Sequence, residues 1–214
     1  MLVYFIRHGK TAINLAGRIS GARLDPPLSP EGIGELEGYR KAGIYPPLSE
    51  VCYTSEFLRT RQTLTTIYPG ASYQATALLN ERDFGPIEYE TDPAAIQKWR
   101  DDRFDENGAE RQSRYGDGES TPVFAARVRR DFSLLLSGLL DRGCRQVTIC
   151  GHGGFLREIG RQFRVAGFEN VKPAVKNGNG LIFDVERTGK LSVRLAGYIG
   201  GTALQDVVES ADAK

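Results

Sequence analysis

Three short apolar runs constrain this chain more than any other feature: Leu2 to Ile6 (LVYFI), Val51 to Thr54 (VCYT) and Gln146 to Cys150 (QVTIC). They are rich in β-branched or aromatic residues and not strictly alternating, which is the pattern of strands covered on both faces. Helical stretches with recognisable starts lie between them. These starts are Ser29 then Pro30, Ser55 before EFLRTRQTL, Asp92 then Pro93, and Thr121 then Pro122. Alternating strand and helix predicts an α/β three-layer sandwich, with a largely parallel central sheet and helices on both faces. LIFDVERTGKLSVRLAG reads as an antiparallel C-terminal hairpin turning at Thr188 and Gly189.

With 214 residues, 40% of them hydrophobic, the chain can bury a substantial core, and we expect a single domain over 1–214. Residues from about 81 to 120 read differently. They are rich in charge and glycine, carry the lone tryptophan, Trp99, and are expected to form a lid-like excursion over the sheet.

Lys and Arg total 28 against 27 Asp and Glu, so no long-range field draws the chain to nucleic acid or an anionic membrane. Any anion site must be local. Cys52, Cys144 and Cys150 form no CxxC pair and are odd in number, which fits a reducing compartment. MLVYFI runs straight into Arg7 and is too short for a membrane span, so a cytoplasmic protein is expected.

The two histidines of the chain stand in matched contexts, FIRHG and TICGHGG, each following an apolar run and preceding glycine. In a parallel sheet ligands gather beyond the carboxyl ends of the strands, so His8 and His152 should converge there although 144 residues apart (152 minus 8). The flanking glycines permit sharp turns and close ligand approach. A helix starting after Gly153 would direct free N–H groups to the same place. Such a cluster suits phosphoryl transfer, with a neutral imidazole attacking phosphorus and Arg7 clasping two phosphate oxygens. Metal ligation is disfavoured: HxH, HxxxH and CxxC spacings are absent, and histidines beside arginines repel a cation.

RHGKTAIN, TSEFLRTRQT, LNERDFG, GDGES and GHGGFLRE occur in the order of the histidine phosphatase superfamily, the phosphoglycerate mutase-like group, and the chain resembles that family over most of its length. The resemblance implies that His8 is the nucleophile and that Arg7, Arg59 and His152 surround the phosphoryl group. It makes Glu81 the proton donor, with Asn14 supporting the pocket and Gly153 beside the bound phosphate. Glu119, Ser120, Arg127 and Asn177 fall where the family places supporting residues.

Some positions depart from the pattern. Lys10 follows the glycine where many members carry Glu or Gln, one extra residue separates Gly21 from Asp25, and Ile87 and Tyr89 replace the tryptophan and glycine of GxWEG. The expected activity is a cofactor-independent phosphatase acting on a small phosphorylated metabolite, and the expected metal content is none. A mutase is the rival, disfavoured because Asp101, Asp102, Asp105 and Glu106 are interleaved with Arg100 and Arg103. A non-catalytic phosphate-binding module is a third reading. Trp99, Phe104 and Tyr115, among several arginines, are expected to form a lid contacting the substrate's non-phosphate part, or simply to pack.

Overall fold

A computed structural model describes residues 1–102, 115–166 and 175–201. Six strands form one sheet: β1 (Leu2–Arg7), β2 (Val51–Thr54), β3 (Gln74–Ala75), β4 (Gln146–Gly151), β5 (Gly180–Thr188) and β6 (Lys190–Ile199). Their order is β3-β2-β4-β1-β5-β6. The first four in that order are parallel, while β5 and β6 run antiparallel. All three apolar runs are strands, and the C-terminal hairpin forms as expected. Its turn centres on Gly189, whose φ of +87° suits glycine, while Thr188 remains in β5 opposite Lys190.

Among the described residues six α-helices follow in chain order: α1 (Ala12–Leu15), α2 (Pro30–Lys41), α3 (Leu58–Ile67), α4 (Pro93–Asp102), α5 (Thr121–Asp141) and α6 (Gly153–Gln162). Alternation along β1 assigns the layers. Val3 and Phe5 face α5 and α6, within a cluster that includes Phe132, Leu136, Phe155 and Ile159. Ile6 faces the other way, packed with Leu36 of α2 and Ile67 of α3. Phe5 stacks on Phe155 and meets Phe132 edge-on, and each such fully buried ring contributes roughly 1.5–3 kcal/mol. This is the predicted three-layer arrangement.

Two helix starts differ from the sequence reading. α3 begins at Leu58 with no side-chain cap, because its N-cap residue is Phe57, whose ring offers no acceptor, and Ser55 lies two residues further back. Ser120, not Thr121, occupies the N-cap position of α5. Ser29 and Asp92 behave as expected, accepting from Gly32 N and Ala94 N. Among the described residues no helix is long and apolar enough to cross a membrane.

The topology positions the site. β1 and β4 are parallel neighbours with Arg7 opposite Gly151, and His8 N donates to Gly151 O at 2.9 Å. The chain leaves β1 toward the α2 layer and leaves β4 toward α6 on the opposite face, so a crevice opens between the two strand ends.

Candidate active site

His8 sits at the carboxyl end of β1, nearly buried, on a backbone fixed from two sides. Gly9 N donates to Thr63 Oγ1 of α3 at 2.9 Å, and Asn177 Nδ2 donates to His8 O at 2.9 Å. Its ring Nδ1 lies 2.7 Å from Gly9 O, so Nδ1 carries the proton and Nε2 keeps a lone pair. Burial, followed by the charges of Arg59 and Arg7, holds His8 well below the ordinary histidine range, outweighing the Gly9 hydrogen bond. The ring is held neutral, with the Nε2 lone pair left over.

His152 faces it edge-on, with ring centroids 5.3 Å apart at 62°. It is fully buried, and its Nε2 lies 2.7 Å from Ser55 Oγ. Burial, then Arg59, His8, Arg7 and Arg127, push its pKa far down as well.

Arg7 Nη1 donates to Val175 O at 2.7 Å, and its guanidinium lies against Gly153. A Cβ at Gly153 would stand 3.0 Å from Nε and 3.1 Å from Cζ. Gly151 has no room for a side chain either, because a Cβ there would meet the Phe5 ring at 2.5 Å. Gly9, Gly151 and Gly153 all have ordinary φ, so these glycines provide space, not the sharp turns the sequence reading expected.

Glu81 is 5% exposed, and each carboxylate oxygen takes a backbone N–H: Oε1 from Arg82 at 2.9 Å, Oε2 from Gly154 at 2.8 Å. Thus the first turn of α6 binds the carboxylate, spending one of the N–H groups expected to face the ligand. Arg127 supports Glu81 from behind, donating to Asn80 O and Glu81 O while its fork grips both oxygens of Glu119. Arg127 and Glu119 thus pack behind Glu81, and Asn177 holds the His8 carbonyl. Ser120 caps α5 only through its backbone.

A cavity of about 310 Å³ opens above this cluster, lined by Arg7, His8, Asn14, Glu81 and Gly153 among the expected residues. Arg59 and His152 are buried behind its wall. Arg59 Nη2 donates to Gly21 O at 2.7 Å and Nη1 to Leu24 O at 2.8 Å. Asn14 Oδ1 caps α1 by accepting from Thr11 N and Oγ1, and its amide borders the cavity. Arg7 Nε, Arg59 Nε and His152 Nδ1 are buried with no hydrogen-bond partner among the described residues. Unpaired buried polar atoms cost roughly 1–3 kcal/mol each.

Sequence reasoning missed several contributors. Arg18, Ser20, Phe84 and Arg157 also line the cavity, Ser55 binds His152, and Glu88 organises the 21–25 loop. Buried Glu88 accepts from Gly21 N, Arg23 N, Leu24 N and Phe84 N. That loop, with its extra residue, therefore turns N–H groups toward Glu88 and carbonyls toward Arg59. The available signals were weak: Arg18 and Arg157 look like surface arginines, and Glu88 is one carboxylate in an acidic stretch.

One expectation changes, and the departure at Lys10 gains a structural account. Lys10 is absent from the lining of this cavity; its ammonium pairs with Glu35 at 2.5 Å and Glu31 at 3.4 Å on α2, beside a second cavity of about 300 Å³ that Lys10 lines with Arg7, Val175 and Asn177. Asp101 and Asp102 are exposed and pair along α4 with Gln97 and Lys98, while Trp99 and Arg100 of the same helix line the cavity. They therefore do not oppose a second phosphate. Arg103, Phe104, Asp105, Glu106, Arg111 and Arg114 lie outside the described residues. Tyr115 is not among the lining residues.

Known proteins agree with this geometry. The family model of the histidine phosphatase superfamily (branch 1) matches residues 3–196. A 2,3-bisphosphoglycerate-dependent phosphoglycerate mutase of Bradyrhizobium sp. (strain BTAi1 / ATCC BAA-1182) is 30% identical over 165 residues, covering 74% of this chain and 78% of that protein. The enzyme of the same name from Beijerinckia indica subsp. indica (strain ATCC 9039 / DSM 1715 / NCIMB 8712) is 27% identical over 168 residues, with the same coverage. The crystal structure of phosphoglycerate mutase from Thermus thermophilus aligns with a TM-score of 0.60 at 26% identity, covering 94% of this chain and 100% of that one. A putative alpha-ribazole-5'-P phosphatase from Escherichia coli str. K-12 substr. MG1655 shares the fold, with a TM-score of 0.65 at 22% identity over 94% of this chain and 99% of that one. With paired histidines, their arginines and the acid assembled at one sheet end, and the family model spanning nearly the whole length, this chain belongs to the histidine phosphatase superfamily.

Proposed function

We propose that the protein hydrolyses a small phosphorylated metabolite through a phosphohistidine at His8, without a metal or organic cofactor. The carrying observation is the hydrogen bond from His8 Nδ1 to Gly9 O, which leaves Nε2 as a neutral nucleophile beside Arg7 and Arg59. In the first step the Nε2 lone pair forms the N–P bond. The leaving oxygen departs with the P–O electrons and takes a proton from Glu81. In the second step the Glu81 carboxylate accepts a proton from water, the water oxygen bonds to phosphorus, and the N–P electrons return to Nε2. Arg7, Arg59 and His152 balance charge on the non-bridging oxygens. A cytoplasmic setting, and a partner that is neither nucleic acid nor membrane, belong to the same reading; the free thiols of Cys52, Cys144 and Cys150 fit it.

A mutase is the second reading, favoured by the names of the relatives and by Arg18, Arg100 and Arg157 on the cavity wall. Hydrolysis asks only for groups already in place among the described residues, and so it ranks first. The two are separated by supplying 3-phosphoglycerate with and without 2,3-bisphosphoglycerate and following both isomerisation and free phosphate by phosphorus NMR. Primer-dependent 2-phosphoglycerate with little phosphate released would establish the mutase. Phosphate release from a panel of esters with negligible isomerisation, unaffected by excess chelator, would establish the phosphatase.

A further inference from the structure

Behind His152 lies a small hydroxyl network that the phosphoryl-transfer scheme does not use. Ser55 follows β2, is fully buried, and places Oγ 2.7 Å from His152 Nε2 and 2.8 Å from Thr60 Oγ1. Phe57 N also donates to Ser55 Oγ, at 3.3 Å. Each hydroxyl has one proton, so the direction of donation along Thr60, Ser55 and His152 sets which nitrogen of His152 carries hydrogen.

Two arrangements are possible. If His152 Nε2–H donates to Ser55, then Ser55 must donate to Thr60 Oγ1, and Nδ1 is left as a bare lone pair with no partner. If instead Thr60 donates to Ser55 and Ser55 to Nε2, the proton sits on Nδ1. The competing acceptors for the Thr60 hydroxyl are Ser55 O, at the longer distance of 3.3 Å, and Phe57 O, 2.8 Å away, but the latter already receives Thr60 N and Arg61 N. Only the Nδ1–H form can donate to a phosphoryl oxygen; a bare nitrogen would repel it. We infer that Ser55, backed by Thr60, is a positioning residue that holds His152 in the Nδ1–H tautomer. The inference rests on the proposed phosphoryl site for its purpose, though not for its test.

Only two histidines occur in the chain, so its imidazole nitrogens give two spin systems in a long-range proton–nitrogen correlation spectrum. His8→Asn assigns them. In the full-length wild type the His152 ring should show hydrogen on Nδ1, with and without inorganic phosphate. Ser55→Ala should move the proton to Nε2 and weaken phosphate binding roughly tenfold, the scale of one charge-assisted hydrogen bond. Ser55→Thr should restore both. A wild-type spectrum with hydrogen on Nε2 would overturn the inference even if Ser55→Ala does not fold, and so would an unchanged tautomer in a folded Ser55→Ala. Failure of wild type to bind phosphate would count against the phosphoryl site instead, leaving the tautomer of the free protein to decide the role of Ser55.

Discussion

The His8 and His152 rings meet edge-on, 5.3 Å apart between centroids, within the field of Arg7 and Arg59. Burial is the largest cause of their depressed pKa values, and the arginines add to it. Below about pH 6.5, the ordinary histidine value, the unfolded chain binds up to two protons that the folded chain refuses. Stability contributed by keeping both rings neutral is therefore present above that pH and lost as pH falls. Each ring should steepen the dependence by about 1.4 kcal/mol per pH unit. Denaturant titrations between pH 7.5 and 5.5 should give a distinctly flatter slope for the His8→Asn, His152→Asn double variant. Parallel slopes would mean that the rings are not held neutral.

His8→Ala should reduce turnover on the order of a thousandfold or more, because water cannot replace the covalent step. The fold should survive, as the backbone at His8 is held by Thr63, Gly151 and Asn177. Labelled phosphate should appear on wild type after alkaline quench and be missing from the variant. Brisk wild-type turnover with no label on His8 would exclude the covalent route.

Glu81→Gln should slow alkyl phosphates on the order of a hundredfold or more while sparing p-nitrophenyl phosphate, whose leaving group needs little acid help. Equal slowing of both esters would reduce Glu81 to a structural role.

Gly154→Ala should reproduce that signature without touching the carboxylate. A Cβ there would lie 2.5 Å from Glu81 Oε1, and the carboxylate would have to move off the N-terminus of α6. We expect alkyl ester turnover to fall roughly tenfold or more, a fraction of the full general-acid contribution. Wild-type rates would show that Glu81 tolerates displacement.

Lys10→Ala should leave turnover within about twofold, since the ammonium serves a partly exposed ion pair with Glu31 and Glu35 and does not line the cavity above His8. A large rise in KM would instead place Lys10 on the substrate's path.

Short-range pattern determined much of this protein. The three apolar runs specify strands because burial on both faces demands continuous apolar sequence, and a histidine directly after such a run must emerge at the strand's carboxyl end. His8, His152, Arg7 and Gly153 were therefore legible from their positions alone, and the ordered motifs added Glu81, Arg59 and Asn14. Tertiary structure decided what those side chains touch. Arg59 binds the carbonyls of Gly21 and Leu24 because Glu88, 64 to 67 residues away along the chain, holds the N–H groups of that loop. Ser55 reads as a helix start and serves as the partner of His152, 97 residues distant. Asp101 and Asp102 follow Arg100 directly, yet a helix turns successive residues to different faces, so Arg100 reaches the cavity while the acids pair along the exterior of α4. Hydrogen-bond direction and helix facing depend on segments that meet only after packing, and no local window of sequence contains them.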